Sequence, residues 1–149
     1  MKSENVMPTT YLLIAIVMMV ALHFSFPVAR IIPPWWNLLG IIPLALGVII
    51  NLIADRAFHK ADTTVKPFKA SIALITEGVF RMSRNPMYLG FVLVLIGIAV
   101  LMRSLTPYVI VLAFAILMDR MYIRVEERML AEEFGTEWEG YKRSTRRWL

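Results

Sequence analysis

The chain has 149 residues, 58% of them hydrophobic and 18% charged, with no cysteine and a formal net charge of +5. The apolar share exceeds the about 45–50% of ordinary soluble domains and the charged share falls below their about 25%, so most soluble classes and a disordered or acidic-tail class are excluded. Disulfides, a cysteine nucleophile and a thiolate metal site are excluded with them, and one domain is expected at this length.

After a short polar start ending near Thr10, cutting the sequence at every Asp, Glu, Lys and Arg leaves four uncharged runs. The first covers residues 11–29 and the second 31–54, each long enough to cross a hydrocarbon core that takes roughly 20 helical residues. A signal peptide does not fit the first run, whose apolar part is too long and is followed by no A-x-A-like cleavage site. Pro33 and Pro34 suit the opening of the second helix, and Trp35 and Trp36 suit an interfacial aromatic belt. Residues 55–85 form a polar connection in which Phe68, Ile72 and Ile75 follow helical spacing, predicting a short interfacial helix that ends at Gly78.

The third helix is expected over 86–102, opened by Pro86, and the fourth over 105–123, after a turn holding Arg103 and Pro107. The uncharged part of the fourth is too short to span, so it must continue past Met118 and carry Asp119, Arg120, Tyr122 and Arg124 to headgroup depth. Charged groups there need partners or a polar cavity, which marks that depth as a place for a site. The tail, 124–149, continues as helix to about Phe134, where Gly135 interrupts it, and a second short helix follows near 137–142.

Lys and Arg concentrate in the 55–85 connection and in the tail, while the two short turns hold only Arg30 and Arg103. The positive-inside rule therefore places both termini and the central connection in the cytoplasm. The basic excess is topological and faces membrane lipids, so no nucleic acid is implied. The expected fold is an all-α integral membrane protein of about four transmembrane helices with a cytoplasmic helical tail, without a Rossmann domain.

Two groups of residues carry chemistry. Arg84-Asn85-Pro86-Met87-Tyr88-Leu89-Gly90 stands at the cytoplasmic mouth of the third helix, where free N–H groups favour an anion such as a carboxylate. Tyr88 adds a phenol and Gly90 allows close approach; alternatively the stretch is a basic anchor with Tyr88 in the aromatic belt. Glu126 and Glu127 on the emerging helix can accept from an ammonium or a ribose diol, and Arg124 can fork onto an anionic group. The alternative is ordinary pairing along the helix, Arg124 with Glu127 or Glu127 with a neighbouring Arg. His23 reads as a helix-packing residue, His59 with Asp55 and Asp62 makes no coordination set, and the 10 Met residues read as packing, so no metal is expected.

Order and spacing of these residues resemble the integral-membrane methyltransferases related to isoprenylcysteine carboxyl methyltransferase and phospholipid N-methyltransferases. That family has an Arg-His/Asn-Pro-x-Tyr-x-Gly element opening one helix, then a Glu-Glu pair followed by Leu, Phe-Gly and Tyr. Here the positions are Arg84 to Gly90, Glu126-Glu127, Leu130, Phe134-Gly135, Tyr141 and the closing Arg147-Trp148, about half the chain. The resemblance implies S-adenosylmethionine as methyl donor, with S-adenosylhomocysteine as product, bound by Arg84, Asn85, Pro86, Met87, Tyr88, Leu89, Gly90, Glu126, Glu127 and Tyr141. It implies a lipophilic or small membrane-partitioning acceptor carrying a carboxylate, amine or thiol, with Arg124 holding a carboxylate or Glu127 taking a proton from, or orienting, an amine or thiol. Asn85 stands where the isoprenylcysteine enzymes carry His, and Leu149 closes the chain directly after Trp148, so the expectation is a bacterial or archaeal relative in the inner membrane rather than a prenylcysteine enzyme. The competing class is a non-enzymatic membrane protein, an assembly subunit or minimal transporter, with Gly47 and Gly97 marking close helix contacts and possible oligomerisation.

Overall fold

The computed structural model describes residues 7–26, 28–61 and 73–149, and among them the secondary structure is helical apart from one isolated bridge between Arg30 and Ser104. Helix α1 covers Pro8–Ser25, with Pro8 in its first turn where a missing N–H costs nothing. It stops short of residue 29 because Phe26 precedes a proline in sequence and leaves the helical region. Helix α2, Ile41–Lys60, follows a 3-10 turn, Trp36–Gly40. Pro33 and Pro34 therefore lie before the helix rather than in its first turn: the chain there pairs across to the other hairpin, and Trp35, at φ 74, precedes the 3-10 turn. The expected helix over Phe68 and Ile72 falls outside the described residues. Ile75 is irregular, and Gly78, at φ +60, opens a 3-10 turn, Gly78–Arg81, instead of closing a helix.

Helix α3 covers Pro86–Met102 and ends on Arg103 in the left-handed region. Helix α4, Pro107–Met118, runs without a break through a π turn, Asp119–Ile123, into α5, Arg124–Ser144. Gly135 breaks α5 internally, with φ 48 and ψ −114, a conformation that costs a residue without a Cβ little.

Two of these segments, Pro8–Ser25 and Trp36–Lys60, are long and apolar enough to cross a membrane. Their outward faces are hydrophobic throughout: Leu13, Val17 and Phe24 on α1 and Ile42, Leu46, Ile49 and Ile53 on α2 are exposed, a surface suited to lipid and not to water. The interior is built where α1, α3 and α4 meet, around Met19, Leu95, Ala99, Phe114 and Met118.

Helix α2 is held against α3 by an interlock of small residues. Gly40 faces Gly97 and Gly47 faces Gly90, seven residues apart on each antiparallel helix, so the backbones touch. A Cβ on Gly47 would collide with the Gly90 carbonyl oxygen, and one on Gly97 would sit 2.6 Å from that of Gly40. The close helix contacts expected of Gly47 and Gly97 thus lie within one chain. Gly90, expected to make room for a ligand, instead makes room for α2, with the Asn51 amide directly over it.

At the end of the bundle away from α5, the two interhelical turns are joined. Ile31 N–H donates to the Arg103 carbonyl, Leu105 N–H to that of Ala29, and the Arg103 Nε to that of Ile32. The Thr106 hydroxyl donates to the Phe26 carbonyl at 2.7 Å, and His23 pairs with Ser104 at 2.7 Å, which settles His23 as a packing residue. Replacing Gly97 by Ala should lower unfolding stability in detergent by about 1–3 kcal/mol, because backbone on both sides blocks relaxation. Thermal unfolding of the purified variant checks this, and Gly140→Ala, which meets nothing within 4 Å, is the control.

Candidate functional site

The end of the bundle opposite the joined turns gathers both chemical groups. At the mouth of α3, Ser83, Asn85 and Pro86 are buried, and the side chains there hold the chain's last residues. The Ser83 hydroxyl and the Asn85 amide both donate to the Arg147 carbonyl, and the Arg84 N–H donates to that of Arg146. The second half of α5, turned back at Gly135, packs Trp138 and Tyr141 against Phe80 and Ala54, and the Tyr141 hydroxyl donates to the Phe80 carbonyl at 2.6 Å. Burial pushes the Tyr141 phenol up to about 12, against the pull of the nearby Arg84 charge, so it stays a donor.

Glu127 occupies the centre. Arg84 donates to its Oε1 from Nε and Nη2, at 3.2 and 2.9 Å, while Arg147 donates to Oε1 at 3.2 Å and to Oε2 at 2.6 Å. The Arg84 and Glu127 side chains are only 8% and 10% exposed. The remaining Arg84 nitrogen donates to the Lys142 and Thr145 carbonyls, and its guanidinium lies 5.6 Å from the centre of the Trp138 ring. Arg147 also reaches Asp119 at 3.2 Å, and Asp119 takes the Arg124 Nε at 2.9 Å. The result is a chain of alternating charge, Arg84, Glu127, Arg147, Asp119, Arg124, in which both carboxylates are paired. Hydrogen bonding to Glu127 is the main reason the Arg147 guanidinium is held above its ordinary pKa.

Glu126, one residue and about 100° away on the helix, meets different company. The Tyr88 hydroxyl donates to its Oε1 at 2.6 Å, and no hydrogen bond reaches Oε2 among the described residues. The Tyr88 ring lies 6.1 Å from Tyr122, which in turn makes an edge contact with Tyr11 of α1 at 5.9 Å. Burial raises the Glu126 carboxyl to about 7, opposed by the Tyr88 hydrogen bond. A half-buried carboxylate beside a cluster of phenol rings is an environment suited to a cation.

The sequence-predicted residues therefore divide. Arg84, Asn85, Tyr88, Glu126, Glu127 and Tyr141 come together; Met87 packs with Phe134 and Leu130 on the Trp138 side, and Leu89 is buried. Gly90 serves the α2 seam. Arg124 does not pair with Glu127: the π turn brings it to Asp119, five residues earlier, and Glu127 is claimed from both sides by Arg84 and Arg147. Both Glu127 oxygens accept from guanidiniums, Oε1 from Arg84 and Arg147 and Oε2 from Arg147. Tyr11, Asp119 as a bridge and Arg147 as a partner of Glu127 are additions from the structure. Arg147 is one of several basic residues in the tail, and in sequence only the closing Arg147-Trp148 pair of the family resemblance marks it, without naming Glu127 as its partner. Among the described residues no cluster of metal-ligating side chains occurs.

A family model described as phospholipid methyltransferase matches residues 35–137 of the chain. The chain belongs to that family. It is 38% identical over 111 residues to a protein-S-isoprenylcysteine O-methyltransferase of Saccharomyces cerevisiae, covering 71% of this chain and 45% of that protein. The protein-S-isoprenylcysteine O-methyltransferase A of Arabidopsis thaliana is 31% identical over 119 residues, covering 74% and 57%. The chain spans about half the length of the curated relatives it matches. The solved structure of the eukaryotic intramembrane Ras methyltransferase ICMT (isoprenylcysteine carboxyl methyltransferase), without a monobody, shares the fold with a TM-score of 0.69 at 23% identity, covering 95% of this chain and 51% of that one. Membership places the α3 mouth and most of α5 inside the family match, while Arg147, which completes the Glu127 clamp, lies beyond it.

Arg84→Ala removes a buried partner and strands part of the charge on Glu127, so stability should fall by about 3–5 kcal/mol. Denaturant unfolding in micelles measures this, and the Lys142→Gln control should stay near wild type, because only the Lys142 backbone is used by Arg84.

Proposed function

We propose that the chain is an S-adenosylmethionine-dependent methyltransferase acting at the cytoplasmic face of a membrane on a lipophilic or small membrane-partitioning acceptor. The observation that carries this is the meeting of the α3 mouth with the Glu126-Glu127 turn: Tyr88 on Glu126 at 2.6 Å and Arg84 on Glu127 at 2.9 Å, from residues about forty positions apart. Family membership and the methyltransferase names of the relatives support it. In this topology α1, α2, α3 and α4 with its π turn span the bilayer, and the basic connection and tail lie on the cytoplasmic side.

The donor set suits S-adenosylmethionine. Glu126, with one oxygen free of hydrogen bonds among the described residues, would hold the ammonium or the ribose hydroxyls, and the Tyr88 and Tyr122 rings would face the sulfonium. Tyr141, Trp138 and the Arg84–Glu127 pair would frame the pocket and fix the tail over it. The donor supplies an electrophilic methyl group for in-line displacement. The protein's share is alignment and exclusion of water, which buried rings and a fully paired carboxylate provide. Asn85 is spent on the Arg147 carbonyl, so it positions the tail and does not act as a base.

Calorimetric titration of the detergent-purified protein with S-adenosylhomocysteine tests the proposal without knowledge of the acceptor. Saturable one-to-one binding, weakened in both Tyr88→Ala and Glu127→Ala, is expected; no binding in a folded, lipid-supplemented sample would favour the assembly-subunit class. Affinity for S-adenosylmethionine should also rise with pH. Glu126 is mostly protonated below about 7 and ionised above it, so a cation gains its partner between pH 6 and 8, by up to about tenfold. Glu126→Gln should flatten that profile.

A further inference from the structure

The outer face of α4 and the turn beyond it hold a second arrangement that methyl transfer does not use. Val109, Leu112 and Ile116 lie on one face, 63%, 64% and 47% exposed. One and two turns further on, the same side of the continuous helix carries Arg120 and Arg124, both exposed. Between them lies an open groove of about 310 Å³, lined by Ala115, Ile116, Asp119, Arg120, Arg124 and Trp148. From Val109 to Arg120 is about 16 Å of helix, close to the depth of one leaflet of a roughly 30 Å core.

The charge at this rim is unbalanced. Three guanidiniums, Arg84, Arg147 and Arg124, share two carboxylates, Glu127 and Asp119, and Arg120 stands beside them as a fourth with no ion pair among the described residues. Arg84 and Arg147 consume Glu127 at the buried end, so the excess lies at the groove. The Arg120 side chain makes no hydrogen bond or ion pair with any other described residue, and Arg124 gives Asp119 only its Nε. The π turn sits directly beneath, a distortion that often accompanies a site. An apolar track one leaflet deep that ends at two under-used guanidiniums and an indole matches an anionic amphiphile in length and in charge.

We propose that this rim binds an acidic membrane lipid, its phosphodiester headgroup between Arg120 and Arg124 and one acyl chain along Val109, Leu112 and Ile116. The proposal does not rest on the methyltransferase reading. Occupancy leaves Asp119 to Arg147, and so reinforces the clamp on Glu127 from outside.

The test uses the delipidated full chain in detergent, titrated with phosphatidylglycerol or with phosphatidylcholine of the same acyl chains, and read by native mass spectrometry and thermal unfolding. Phosphatidylglycerol should be retained about thirtyfold more strongly, the product of about fivefold for each guanidinium near the surface, and should raise the unfolding midpoint. Arg120→Gln, which breaks no ion pair or side-chain hydrogen bond among the described residues, should lose about fivefold of that preference, and Arg120→Gln with Arg124→Gln nearly all of it. Arg128→Gln on the same helix should lose none. Equal retention of the two lipids, or a preference that survives both substitutions, overturns the proposal. Glycerophosphate binding as tightly as the intact lipid also overturns it, because the apolar track would then contribute nothing. Binding of S-adenosylhomocysteine, measured on the same samples, reports separately on the methyltransferase reading.

Discussion

The Glu127 carboxylate is the constraint on which the site end of this protein depends. A buried carboxylate is tolerated only with partners, and Glu127 takes its partners from two distant parts of the chain, Arg84 before α3 and Arg147 beyond α5. Satisfying one charge thereby fixes the α3 mouth, the first turn of α5 and the final residues relative to one another. Arg84 then distributes its other donors to the Lys142 and Thr145 carbonyls, which would otherwise be unpaired at the end of a helix. The neighbouring Glu126 is left to a separate environment of phenol rings. Two adjacent acids thus do unlike things because successive helical positions point about 100° apart.

The seam between α2 and α3 works by shape instead. Gly40, Gly47, Gly90 and Gly97 let two backbones approach where no charge is present, and in lipid such close packing carries much of the association that hydrophobic burial carries in water. Asn51 sits in this seam, donating to the Gly47 carbonyl while its own Oδ1 is buried without a partner among the described residues. The seam carries α3 and so sets the height of Tyr88 and Arg84 relative to the rest of the bundle.

Much of this was legible in sequence, for reasons that differ by element. Uncharged runs located the helices because lipid admits little else, and Pro86 and Gly135 marked a start and a break because each residue has one strong backbone preference. The need for partners around Asp119 and Arg124 followed from charge at headgroup depth. Their identity did not, because a period of 3.6 residues predicts partners three or four apart and the π turn supplies one five apart. The start of α2 was misread because proline suits both a helix opening and an extended stretch, and here the extended stretch is held by the opposite hairpin. Gly90 illustrates the same ambiguity: a missing side chain signals close approach and does not say whether backbone or ligand approaches.

The joined turns at the far end bear on how the molecule is assembled. The contacts of Ala29, Ile31 and Ile32 with Arg103 and Leu105 tie together residues more than seventy positions apart. Each helical hairpin can enter the bilayer with its own turn, but the hydrogen bonds between the turns need both hairpins in place. Neither hairpin therefore satisfies the backbone of its own turn alone, and this end of the molecule is held by pairings that are far apart in sequence and close only when both hairpins are present.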